Sequence, residues 1–264
     1  MTRPSRHIFF SITLVFLLAN HIKVSAQVLI FESTSEHVGL LELYTSEGCS
    51  SCPPAERWFS QLTNDPGLWK TRFPIAFHVD YWDYLGWQDP FAQTKFSERQ
   101  RLYQHFNYIS SVATPGFIVD GKGWSGWFRS QKIPLPQADD HVGILRVELS
   151  KEDNKNLTSV SFSPTRHFQP LSVNVALLGF DITVPIKSGE NRGRNLKHDF
   201  VVLKQENITL KQNCKKERKQ ECIKWQAQLE TPRIDNLKPM RQAMIFWVSE
   251  ANDPRPIQVV GGWL

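Results

Sequence analysis

Cys49-Ser-Ser-Cys52 is the stretch of this chain whose residue types and spacing can do chemistry on their own. Two thiols at this spacing close a small disulfide ring, and the helical pattern that follows sets them at a helix entrance, where the dipole favours a thiolate. The chemistry is thiol–disulfide exchange: Cys49, nearer the helix start and the more exposed sulfur, attacks, and Cys52 resolves the mixed disulfide. Glu47 beside Cys49 opposes thiolate formation, so the expected reactivity is moderate. CxxC also serves zinc, but a structural zinc site needs four ligands, and no second CxxC or suitably spaced His pair is present; no metal site and no organic cofactor are expected. Two other readings stay open. One is a metal-handling protein holding a soft ion such as Cu(I) with Cys49, Cys52 and His78. The other is a non-catalytic interaction module whose Cys49–Cys52 bridge only ties down a loop.

The elements around the cysteines follow from pattern. Residues 38–44 form a mostly apolar run that reads as a buried strand. From Ala55 onward, Trp58, Phe59 and Leu62 recur at helical spacing, and Pro53-Pro54 mark the helix start because its first N–H groups lack partners anyway. Residues 73–80 form a second strand, giving a β-α-β unit with a right-handed crossover in a parallel sheet. A helix is expected over 90–107, then a strand from Thr114-Pro115 to the Asp120-Gly121 turn. His78 and Asp80 stand two apart on a strand and so share a face; with Trp82 they are candidates for the rim of a redox site, ordinary packing being the alternative. Glu42, in the strand before the CxxC, is either a buried proton relay for Cys52 or an outward-facing residue. Trp124 and Trp127 form an apolar rim for a client peptide or pack between domains.

Beyond about Asp140 the pattern changes. Residues 143–150, 157–163, 171–180, 196–206, 223–229, 242–249 and 257–261 are short alternating or apolar runs separated by polar turns, as in an antiparallel sheet or sandwich. The domain organisation expected is therefore 27–139 with the CxxC and a β-rich 140–264.

The first 26 residues carry Arg3 and Arg6, an apolar stretch over 8–19 and a Val24-Ser25-Ala26 ending, the pattern of a secretory signal peptide cleaved after Ala26. The apolar core is too short to span a bilayer, so no stable membrane insertion is expected after cleavage, and the mature chain is expected to be periplasmic or secreted, where disulfides persist. The formal charge of +5 falls to +2 without this segment, which holds three basic and no acidic residues, so charge does not indicate nucleic-acid binding. The partners expected are protein thiol or disulfide clients and a redox partner. Cys214 and Cys222 flank a charged stretch that reads as a hairpin tip, and pairing by proximity makes them a structural disulfide.

The stretches at 40–55, 77–91 and 114–121 resemble a known family of secreted thioredoxin-like proteins grouped as domain of unknown function 1223, and 189–194 with His198-Asp199 is similar to that family's second half. The resemblance implies an α/β thioredoxin-like domain followed by a β-rich antiparallel sheet or sandwich, and supplies no activity. Thr114-Pro115 resembles the cis-proline position of thioredoxin-like proteins, where the residue before the proline faces the CxxC and binds a peptide through its backbone; a trans proline at a strand edge is the alternative. The family's usual Tyr-Thr-Pro-Gln is Ala113-Thr-Pro-Gly116 here, which keeps the backbone position and changes its flanks. Cys214 and Cys222 look like an addition of this member.

Non-reducing peptide mapping is expected to link Cys214 to Cys222, and Cys214→Ser to lower stability by under about 3 kcal/mol, the loop-entropy value for a ring of this size, with exchange at Cys49 unchanged. A link from Cys214 to Cys49 or Cys52 overturns that pairing.

Overall fold

Alternating β-branched and aromatic residues run through most of the chain, and strands follow them. The computed structural model describes residues 28–129, 132–134, 140–152, 155–168, 170–212, 224–233 and 241–264. The expected signal segment 1–26 and the pair Cys214 and Cys222 lie outside them. The first part contains β1 (Leu29–Glu32), β2 (Leu40–Thr45), α1 (Cys52–Ser60), β3 (Phe73–His78), α2 (Thr94–His105), β4 (Gly116–Val119) and β5 (Lys122–Gly123). Next come β6 (Gly143–Glu152), β7 (Lys155–Pro164), β8 (Leu171–Phe180), β9 (Ile182–Pro185), β10 (Asn195–His198) and β11 (Val201–Thr209). The last are β12 (Lys211–Gln212), β13 (Trp225–Glu230), β14 (Arg241–Glu250) and β15 (Gln258–Trp263).

The expected local unit around the cysteines forms. β2 and β3 are parallel, from Leu40 against Phe73 to Thr45 against His78, with α1 between them in sequence. β4 runs antiparallel to β2, and Asp120 and Gly121, both at positive φ (48° and 77°), turn it into β5.

The expected fold class does not form. In place of an α/β thioredoxin-like domain followed by a β-rich one, the chain is mostly strand, and α-helix among the described residues is confined to α1 and α2. Eight strands from both halves make one sheet in the order β15-β14-β8-β11-β3-β2-β4-β5. The physical cause is β11, which pairs parallel with β3 at Val201–Ala76 and antiparallel with β8. The edge of β3 is thereby covered by a strand from far along the chain, and residues on both sides of position 140 share a sheet.

The second sheet, β1-β6-β7-β13-β12, packs on the first through alternate residues of long strands. Val173, Val175 and Leu177 of β8 and Met244, Phe246 and Val248 of β14 bury against Leu145, Val147, Val160 and Phe162. Residues of the opposite parity, Ala176, Leu178, Ile245 and Trp247, belong to the larger core that includes Phe59 of α1 and Phe96 of α2. That two-residue period is what a strand buried on both faces requires. No helix among the described residues is long and apolar enough to cross a membrane.

β2 also carries a buried charge. Glu42 is fully buried and accepts from Arg99 Nε and Nη2 (each 2.9 Å), Tyr44 Oη (2.8 Å) and Tyr103 Oη (2.5 Å). The Arg99 side chain is 10% exposed and also donates to Pro254 O. Burial disfavours the Arg99 cation, but Glu42 outweighs it and holds the guanidinium protonated. Arg99→Leu strands the Glu42 carboxylate and is expected to cost about 3–5 kcal/mol in urea unfolding, whereas adding Glu42→Leu recovers part of the loss, because replacing both buried partners is far cheaper than removing one. Equal losses in the single and double variants would show that the pair is not what holds α2 to the sheet.

Candidate functional site

The cysteines sit where β2 runs out and α1 begins. Cys49 and Cys52 form a disulfide, with Cα atoms 5.5 Å apart. α1 opens at Cys52, so Cys52 and not Cys49 stands at the helix start, contrary to the expected placement, and with Pro53 and Pro54 next two of the helix's first backbone positions carry no N–H. Anion stabilisation at this end therefore rests on the dipole and on the remaining donors. Ser51 Oγ is 3.3 Å from Cys49 Sγ. Both sulfur residues are buried, Cys49 to 4% and Cys52 to 0% exposure, so Cys49 is the more accessible of two covered residues.

Thr114-Pro115 is a cis peptide, and the Thr114 carbonyl oxygen lies 3.8 Å from Cys49 Sγ. Trp82 reaches over from the loop after β3, its indole Nε1 donating to Thr114 Oγ1 at 2.6 Å. Cys49, Cys52, Thr114, Pro115 and Trp82 are thus brought together. His78 and Asp80 are not. β3 ends at His78, so the alternation that would align them stops there. Asp80 turns to the start of α2, where burial pushes its carboxyl up but the hydrogen bonds donated by Ser97 Oγ and Thr94 Oγ1 (2.5 and 2.6 Å) lead the effects that together outweigh it and leave the carboxyl below its usual range. Glu42 is also separate: one residue out of phase with Thr45, it faces Arg99 and Tyr103 of α2, while Thr45 faces Glu56 of α1. It is no relay to Cys52. Trp124 packs on Trp58 and Phe117 (centroids 5.8 and 5.9 Å apart), and Trp127 on Phe117.

Beneath the disulfide loop lies a buried polar cluster that pattern reading left unassigned. His198, the last residue of β10, bridges two carboxylates: Nδ1 is 2.6 Å from Glu56 Oε2 and Nε2 is 3.0 Å from Glu47 Oε1. Burial lowers the basicity of His198, but Glu56 and Glu47 more than reverse this and raise its pKa to about 10. Reciprocally, burial raises Glu56 and the His198 charge overcomes it, leaving its carboxyl lowered. His78 Nδ1 is 2.7 Å from Asp89 Oδ2; burial opposes protonation, and the Asp89 charge and hydrogen bond raise it nonetheless. Asp89 also accepts from the Glu47 and Phe91 backbone N–H groups. Trp87 Nε1 donates to Glu47 Oε2 at 2.7 Å, which turns that carboxylate into the cluster. Glu47 therefore meets a cation there, and its opposition to a Cys49 thiolate is weaker than its place in sequence implies.

The segment between β9 and β10 closes over the loop. Asn191, fully buried, donates from Nδ2 to Glu47 O (2.8 Å) and Cys49 O (3.0 Å), and Arg194 fixes it by donating to its Oδ1. Glu190 accepts from Ser50 N at 3.1 Å. Of the ligating side chains among the described residues, Glu56, His78 and His198 offer atoms within 4.8 Å of one another, a group that contains neither cysteine. The set Cys49, Cys52 and His78 is not assembled as a ligand group. The signals for these residues were present but faint: Glu56 lies one helical turn after Cys52, Asp89 falls in the 77–91 stretch, and Asn191 and His198 in the similar part of the second half.

A crystal structure of a protein from Agrobacterium tumefaciens is similar with a TM-score of 0.51 and 19% identity, covering 87% of this chain and 95% of that one. HBP35 of Porphyromonas gingivalis is similar with a TM-score of 0.57 and 14% identity over 88% of this chain and 76% of that one. At such identities the likeness is one of fold. No curated protein matches the chain. The family described as protein of unknown function DUF1223 matches residues 40–248, a span that begins with β2, ends within β14 and contains every side chain of the site, and the chain belongs to that family.

Proposed function

We propose that the protein is a thiol–disulfide oxidoreductase acting through Cys49 and Cys52 on protein clients. The observation that carries this reading is the disulfide at the start of α1 with the Thr114 carbonyl oxygen 3.8 Å from Cys49 Sγ, a backbone acceptor beside the more accessible sulfur. In the oxidised direction a client thiolate attacks Cys49 Sγ, a client–Cys49 bond forms, and Cys52 departs as a thiolate at the first position of α1. A second client thiolate then attacks the client sulfur of the mixed disulfide and releases Cys49; the client leaves with one disulfide and the protein with two thiols. Thr114 and Pro115 position the client backbone. Export is proposed with it, on the basic, apolar and small-residue pattern of residues 1–26.

A second reading has its own support. Burial of both cysteines and the clamp from Asn191 and Glu190 favour a structural disulfide that never exchanges. The reduction potential separates the two, since structural disulfides lie below about −300 mV.

Under the exchange reading, Cys52→Ser accumulates a mixed disulfide with a model disulfide, Cys49→Ser forms none, and alkylation of the reduced chain labels Cys49 before Cys52. Pro115→Ala impairs client turnover while leaving alkylation of Cys49 largely intact. Full exchange by Cys49→Ser, or equal inertness of both reduced thiols, defeats it.

A further inference from the structure

We propose that Glu56, His78 and His198 form a buried site for one divalent first-row ion of the zinc type. One ligating atom of each lies within 4.8 Å of the others, and the three are buried. They come from α1, the end of β3 and the end of β10, so an ion there ties three elements together.

The outer nitrogens make the case. A ligating histidine almost always donates its other ring N–H to a carboxylate or carbonyl, which fixes the tautomer and raises the basicity of the ligating nitrogen. Both imidazoles have that support: His78 Nδ1 faces Asp89 at 2.7 Å, and His198 Nε2 faces Glu47 at 3.0 Å. The supporting carboxylates are themselves held, Asp89 by two backbone N–H groups and Glu47 by the Trp87 indole. With an ion in place of the inward-facing protons, the nitrogens free to ligate it would be His78 Nε2 and His198 Nδ1, the latter 2.6 Å from Glu56 Oε2. The Thr45 hydroxyl donates to the other oxygen of Glu56 and orients it. Ligand bonds of about 2.0–2.2 Å require His198 Nδ1 and Glu56 Oε2 to part by roughly 1 Å or less, within reach of a carboxylate rotation.

The donor set selects the ion. Two imidazoles and one carboxylate suit zinc, whereas Cu(I) prefers sulfur and Mg(II) or Ca(II) prefer oxygen. Neither cysteine takes part, so the site stands apart from the exchange reading.

The test uses the full chain with its disulfide oxidised, stripped with a chelator and then titrated with Zn(II) against a chromophoric competitor and with Co(II) by absorption. The expected result is about one ion per chain, Co(II) d–d bands without a thiolate charge-transfer band, and a thermal midpoint that climbs with zinc concentration. His78→Ala is expected to lower affinity at least tenfold, and Glu47→Gln, which keeps a hydrogen-bonding side chain, to lower it about tenfold through His198 alone. Uptake by fewer than about a tenth of wild-type chains, uptake that appears only after the disulfide is reduced, or undiminished uptake by His78→Ala overturns the proposal. The first two outcomes need only the wild-type chain, so a variant that fails to fold does not shelter it.

Discussion

One backbone pairing, Val201 of β11 against Ala76 of β3, governs the site. Because the two strands run parallel, an unbroken β11 would carry the residues before Val201 back along the start of β3, away from His78; the break at Phe200, where φ is 61°, instead lets β10 leave that direction. His198 precedes Val201 by three positions and His78 follows Ala76 by two, and their rings meet edge to face with centroids 5.2 Å apart. The same junction draws in the β9–β10 hairpin, whose connecting segment delivers Glu190 and Asn191 to the CxxC loop. Were β11 to pair elsewhere, Glu47 and Glu56 would be buried without a cation, at a cost of several kcal/mol each. The junction and the polar cluster therefore support one another: β11 enters the main sheet at Val201 just after the break that leaves His198 among the carboxylates, and the imidazole penalises arrangements that remove it.

Local signals made the first unit legible. The apolar run, the CxxC, the proline pair and the helical spacing after Ala55 all lie within a short window, and β2, α1 and β3 appear where they point. The β11 junction was not legible, because pairing between strands more than a hundred residues apart leaves no mark on either one's pattern. Residues 196–206 illustrate the failure: the sequence reads as one alternating run, but Phe200 takes a positive φ of 61° and breaks it into β10 and β11, which join different sheets. That break is what frees His198 to face Glu47 and Glu56 while Val201 enters the main sheet. The helix expected over 90–107 is likewise shorter, because Asp89 accepts from Phe91 N and the chain stays extended at Gln93 before α2 begins at Thr94.

Parity, rather than composition, decides the roles of the acidic residues. Glu42 and Thr45 lie three apart on β2 and so project to opposite faces. The first meets Arg99 and two tyrosines, a closed arrangement that fills all its capacity. The second meets Glu56, which belongs to the same α1 face as Cys52, one turn earlier. A proton acceptor for the resolving thiol is thus better sought on the helix that carries it than on the strand that precedes it.

The covering segment sets a quantitative constraint on any chemistry at the sulfurs. Asn191 makes two hydrogen bonds to the loop and Glu190 a third, and at about 1 kcal/mol net for each, lifting the segment costs roughly 3 kcal/mol. A state that much higher is populated on the order of one part in a hundred, which slows exchange by a similar factor without forbidding it. The sum leaves out burial of Asn191 itself, so it is a lower bound on opening. What holds the disulfide loop in place is therefore also what rations access to it, and both follow from the hairpin that β11 brings to this end of the sheet.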